Sequence, residues 1–192
     1  MSQQYEDSVE LVSAEVAQKL ALSVMFAALT GVLAQVAIPL PVGVPFTLQP
    51  LAVFFAVLVL GAAWGGFALV LYLVVGIAGA PVFANFGAGL GIIFGVTGGF
   101  LIGFVVAAVV GGAVAHRSLT PTDELSVADA VAGVVVALGV IYVIGVPWWM
   151  VVADITFAET LAANAGFFTL DVVKAAIAVW VVTQSEFLQR QF

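Results

Sequence analysis

From Leu20 to Ala115 the chain runs 96 residues without one Asp, Glu, Lys or Arg. Soluble domains carry about a quarter charged residues, so a water-facing stretch of this length would hold roughly two dozen. A membrane helix needs about 20 consecutive apolar residues, which leaves room here for about four spans and short turns. Apolar runs recur to the C-terminus, so a lone signal peptide or anchor is excluded. The full 192 residues are 64% apolar and 8% charged. The expectation is an all-α integral membrane protein, multi-pass in the cell membrane, with the lipid bilayer as its solvent.

The same composition removes whole classes of function. Four basic residues cannot make a nucleic-acid surface. Zero cysteines exclude disulfides, thiol catalysis and thiolate metal sites, and one histidine, His116, excludes a poly-His site. There is no GxxxxGK[ST] phosphate loop and no HExxH. A Ser/His/Asp triad would have to use His116, in a hydrophilic loop away from other candidates. The reading is therefore neither an enzyme nor a self-powered pump, and it calls for no cofactor or metal. A ligand-holding membrane subunit fits better.

Six transmembrane helices are predicted, at about 19–38, 51–63, 67–80, 92–115, 130–153 and 170–184. Residues 1–18 form a polar, acidic N-terminal segment in which Val9, Val12 and Val16 recur at helical spacing. Residues 19–187 form the membrane domain and 188–192 a short tail. Pro39-Leu40-Pro41 stops the first span, and Pro147 is a point at which the fifth can bend. With six spans both termini share a side with the 116–129 loop. Lys19, Arg117 and Arg190 lie on that side, whereas the connections at 39–50, 81–91 and 154–169 carry no Lys or Arg. The positive-inside rule then makes both termini cytoplasmic.

Two of the outer connections, 39–50 and 81–91, are apolar and rich in Gly and Pro. Irregular backbone at membrane depth is tolerated where it packs in protein or lines a cavity, so these read either as tight interfacial turns or as loops folded over a pocket. Asp171 and Lys174, at i and i+3 on one helix face near the expected start of the sixth span, are ionisable residues inside a span and hence site candidates. An Asp in a first helical turn suits the dipole and a Lys opposes it, so a bound carboxylate would complete the compensation. Gln49 and Asn85 each place an amide, donor and acceptor together, in one of the odd loops. Phe46, Tyr72, Phe83, Phe86, Tyr142, Trp148 and Trp149 gather near the outer ends of spans, as an interfacial belt or as the walls of an apolar pocket. In the first span Ser23, Ala27 and Gly31 form a small-residue stripe, with Ala17, Ala21 and Ala28 one face over. Such a stripe packs closely against the bundle or against another subunit.

At these residues a family resemblance appears. Pro41-Val42-Gly43-Val44-Pro45-Phe46-Thr47-Leu48-Gln49 resembles the PxxVPFTLQ-like segment of the BioY family, the biotin-specific S components of energy-coupling-factor (ECF) transporters. Leu71 to Ala84 is similar to its YLLLGxxGxPVFA segment, Thr97 to Phe104 to its PTGGYLxGF, Tyr142 to Trp148 to its YxxGVPW, and Asp171 to Ala175 to its DxxKA. Five segments occur in order across 39–175. The departures are Val96 for the usual Pro, Phe100 for Tyr, and Thr169-Leu170 for the Pro-Gly before the Asp.

The resemblance implies an S-component-like bundle that captures biotin from outside as its transported ligand. It also implies partners, namely a transmembrane coupling subunit and cytoplasmic ATPases. The first helix would lie against the coupling subunit, with Ser23, Ala27 and Gly31 as the docking face. The residues agree with such a ligand. Asp171 can accept a ureido N–H and Asn85 can serve either ureido group. Lys174 can meet the carboxylate or the ureido oxygen, with Phe46, Gln49, Tyr72, Phe83, Tyr142 and Trp148 around them. The alternative is a stand-alone secondary carrier of a small organic anion.

Overall fold

The computed structural model describes residues 13–38, 43–121 and 125–185. Val9 and Val12, the Pro39-Leu40-Pro41 stop, Arg190 and the 188–192 tail lie outside them. Helix α1 (Ala14–Gln35) starts earlier than expected, on Ser13, whose Oγ accepts from the Val16 N–H at 3.3 Å. A two-residue ribbon follows, β1 (Ala37–Ile38) antiparallel to β2 (Phe46–Thr47), with Ala37 opposite Thr47. It pins the first connection back onto the end of α1, a detail too short to leave a periodic signal.

Helix α2 (Gln49–Ile77) holds the second and third expected spans as two helical arms joined at Gly61. It is not one rod. Gly61 sits at φ 68° and ψ −166°, a backbone region essentially restricted to glycine, and the chain reverses there. The reversal brings Gly65 against the Ala56 carbonyl and the Gln49 amide to the Tyr72 hydroxyl. Arms 49–60 and 62–77 are therefore an antiparallel pair, about 18 and 24 Å long. Neither reaches the roughly 30 Å of a hydrocarbon core, which matches the short second and third spans of the sequence reading. The Leu119 carbonyl accepts from the Ala63 N–H at 2.9 Å and holds the hairpin tip to the 117–121 loop.

A 3₁₀ turn (Ala84–Phe86) and the short α3 (Leu90–Phe94) precede α4 (Gly98–His116). The fourth span thus begins at Gly98, six residues later than expected. The chain folds so tightly between α3 and α4 that a side chain at Gly98 would run into the Ile93 carbonyl. Helix α5 (Val127–Ala153) is capped by Ser126, which accepts from the Asp129 N–H at 3.1 Å, and it continues through Pro147.

Helix α6 (Phe157–Gln184) corrects the sequence reading most. It begins thirteen residues before the expected Leu170. Thr156 and Glu159 form a capping box: Thr156 Oγ1 accepts from the Glu159 N–H at 3.3 Å and Glu159 Oε2 from the Thr156 N–H at 2.9 Å. Polarity between 154 and 164 reads as a connection, but Thr-x-x-Glu is a helix-start signature. Thr169-Leu170 therefore lies inside a helix, where a Pro-Gly pair would interrupt the hydrogen-bond ladder.

Among the described residues five helices are long and apolar enough to cross a membrane, and the reversal in α2 makes six antiparallel rods. The α2 hairpin is the buried centre, with Val53, Phe54, Val57, Leu60 and Leu69 almost wholly covered. Helix α4 packs on it through Ala108, beside Gly65, and through Gly112, which lies on the Gly61-Ala62 backbone, and their small size lets the backbones approach. Large apolar side chains on α1, α5 and α6, such as Met25, Val143 and Trp180, face outward as lipid-facing residues do. Gly61, His116 and the starts of α1 and α5 lie at one end. The 43–48 loop, the 81–97 connection and the α5–α6 turn lie at the other.

Candidate binding site

Asp171 and Lys174 lie 14 and 17 residues into α6, not in its first turn, so the expected interplay with the helix dipole does not arise. Burial and pairing govern them instead. Both are almost fully buried. Lys174 Nζ donates to Asp171 Oδ1 at 2.5 Å and to the Thr47 carbonyl at 2.6 Å, and it lies 4.0 Å from the Phe46 ring centroid. The other carboxylate oxygen, Oδ2, accepts from the Tyr142 hydroxyl at 2.9 Å. A lone buried charge is costly, and a pair with every remaining group hydrogen-bonded is the form in which it is tolerated. The cluster joins three elements: α6, α5 through Tyr142, and the 43–48 loop through Thr47 and Phe46.

It forms the polar wall of a cavity of about 280 Å³. That is near the small end of ligand pockets, which run from about 300 Å³ upward. The rest of the lining is mainly apolar, including Val44, Ile92, Phe100, Leu101, Ile141 and Phe167. Aromatic rings meet edge to face around it, as Phe100 does with Tyr142 at 6.3 Å between centroids.

Of the nine residues expected to bind ligand, seven line this cavity: Phe46, Gln49, Phe83, Asn85, Tyr142, Asp171 and Lys174. The amide of Gln49 is engaged in support. Its Oε1 accepts from Thr47 Oγ1 at 3.0 Å and its Nε2 donates to the Tyr72 hydroxyl at 2.7 Å. Tyr72 in turn donates to the Val82 carbonyl at 3.2 Å. The relay ties the 43–48 loop to the 81–97 connection. Asn85 is different: it stands exposed at the cavity, and its side chain pairs with none of the described residues.

Tyr72 and Trp148 do not line the cavity. Tyr72 sits behind Gln49 and packs edge to face on Phe83. Trp148 donates its Nε1 to the Gly95 carbonyl at 2.9 Å and lies directly on Gly99, where no side chain would fit. Phe86 points outward, whereas Trp149 is fully buried, so the aromatics are not a single belt. The Ser23, Ala27 and Gly31 stripe is also corrected. Ser23 is fully buried, with its hydroxyl on the Trp64 carbonyl at 3.3 Å, and Gly31 packs on Val82. That face is covered by this chain's own elements and is not a free docking surface. The neighbouring Ala17, Ala21 and Ala28 are the exposed ones.

Asn164 was missed. It is buried, lines the cavity and donates to the Thr160 carbonyl at 2.8 Å on its own helix. Asn164, Phe167, Asp171 and Lys174 recur at i, i+3, i+7 and i+10, one face of a helix. The pattern is legible once the helix is started at the Thr156 cap.

A family model described as the BioY family matches residues 2–190. The biotin transporter BioY of Thermotoga maritima is 39% identical over 64% of this chain and 68% of its own length. The probable biotin transporter BioY of Pyrococcus horikoshii is 35% identical over 85% and 93%. In architecture the chain is similar to the crystal structure of the S-component for biotin from an ECF-type ABC transporter. The TM-score is 0.80 at 22% identity, covering 90% of this chain and 93% of that one. The family match spans nearly the whole length, and this chain belongs to the BioY family.

Proposed function

We propose that this chain binds biotin in the 280 Å³ cavity and serves biotin uptake as the S component of an ECF-type transporter. One observation carries the reading: a paired, buried Asp171–Lys174 cluster faces an apolar cavity across which Asn85 offers an unengaged amide. Biotin has an apolar bicycle, a ureido group with two N–H donors and a carbonyl, and a carboxylate. The bicycle fits the aromatic wall. Each Asp171 oxygen holds one donor and keeps a lone pair for a ureido N–H. Lys174 has three N–H donors, two of them engaged, so one is left for a ligand oxygen.

Asp171, Lys174, Asn85, Tyr142, Phe46 and Phe83 are the contacts assigned to the ligand; Gln49 and Tyr72 hold the loops. Both termini are placed in the cytoplasm and the cavity end outside, on the positions of Lys19, Arg117 and Arg190. A transmembrane coupling subunit and cytoplasmic ATPases supply the energy. Calorimetry on the purified protein tests the binding: one biotin per chain is expected, and no binding overturns the reading. Copurification with an ATPase module tests the partners, and uptake without one favours a stand-alone carrier.

A further inference from the structure

The last residue of α1 reaches the loop that forms one wall of the cavity. Gln35 Oε1 accepts from the Phe86 backbone N–H at 2.9 Å. Its Nε2 donates to the Phe83 carbonyl at 3.1 Å and to the Gly31 carbonyl of its own helix at 3.0 Å. Both amide hydrogens and the oxygen are thus engaged. One side chain holds the 83–87 turn at two backbone points and braces itself on α1.

The turn needs holding. Asn85 and Phe86 are consecutive non-glycine residues in the left-handed region, at φ 56° and 57°. Such backbone persists only where the surroundings over-determine it. Phe83 donates its N–H to the Gly87 carbonyl at 3.0 Å and closes the base of the turn, but that bond lies within the turn. Gln35 ties it to a helix, and one turn back on the same face Gly31 packs against Val82. Phe83, Ala84 and Asn85 line the cavity; Gln35 does not.

We propose that Gln35 is a positioning residue of the binding site. By fixing the 83–87 turn to the end of α1 it holds Asn85 over the cavity and so sets how long a ligand stays. This rests on biotin being the occupant, and the test separates the two. Gln35→Met keeps the length and removes all three bonds; Gln35→Glu keeps only the acceptor for Phe86. Hydrogen exchange of the 83–87 amides, measured without ligand, should rise at least tenfold in Gln35→Met while the α2 and α4 cores stay protected. Biotin should dissociate at least fivefold faster, with association changed less than twofold, and Gln35→Glu should fall between. Unchanged exchange in both variants overturns the clasp. Raised exchange with unchanged dissociation reduces Gln35 to a structural residue and overturns the positioning role. A parent protein that does not bind biotin overturns the function, and the exchange arm still decides the clasp.

Discussion

Tyr142 and Lys174 bind opposite oxygens of one carboxylate: the Tyr142 hydroxyl donates to Asp171 Oδ2 at 2.9 Å and the Lys174 ammonium to Oδ1 at 2.5 Å. The carboxylate is held from α5 and from its own helix, so its free lone pairs point where the packing of two helices aims them. The same lysine grips the Thr47 carbonyl, 127 residues away in sequence. Loop and helix are joined at the ligand wall.

Lys174→Ala leaves Asp171 buried with only Tyr142 as partner. We expect biotin binding to weaken by about 2–5 kcal/mol, the range for breaking a desolvated, hydrogen-bonded charge contact. Calorimetry on parent and variant, both checked for a monodisperse fold, measures it. Equal affinities would remove Lys174 from the site.

Gly61→Ala tests the α2 hairpin. The new Cβ would lie 3.1 Å from the Pro121 nitrogen, on backbone that only glycine adopts readily. A loss of about 1–3 kcal/mol is expected from the strain alone. Thermal unfolding in detergent reads it, and an unchanged melting temperature would show that α2 does not turn back here.

Membrane orientation is read by cysteine labelling in a chain that has no native cysteine. A cysteine at Thr120, in the loop after α4, should label only from the cytoplasm. One at Asp154, in the turn before α6, should label only from outside. The reverse pattern places the cavity end in the cytoplasm and defeats uptake.

The two faces of α1 should respond differently to bulk. Ala27 is nearly buried against the bundle, so Ala27→Trp should overpack it and cost about 1–3 kcal/mol of stability. Ala28 is exposed. Ala28→Trp should leave folding and biotin binding intact and block uptake, because a large side chain keeps a docking helix from approaching. Uptake equal to the parent in Ala28→Trp would move the docking surface off this face.

The sequence by itself determined the solvent, the helical class and the charged pair that stands out inside a span. Ninety-six residues without a formal charge dictate lipid, since no other surroundings tolerate them. Asp171 and Lys174 stand out for the converse reason: charge inside a span persists only with a partner. Tertiary structure decided where the site lies along α6 and which residues face it. Hydropathy reports average polarity, and a polar capping turn lowers that average just as a loop does, so the true start of α6 and Asn164 stayed hidden. Gly61 reverses α2 through one dihedral angle that no periodicity records. Tyr72 and Trp148 carry the same amphipathic side-chain chemistry as Tyr142, and only packing across helices assigns Tyr142 to the cavity wall and the other two to its support.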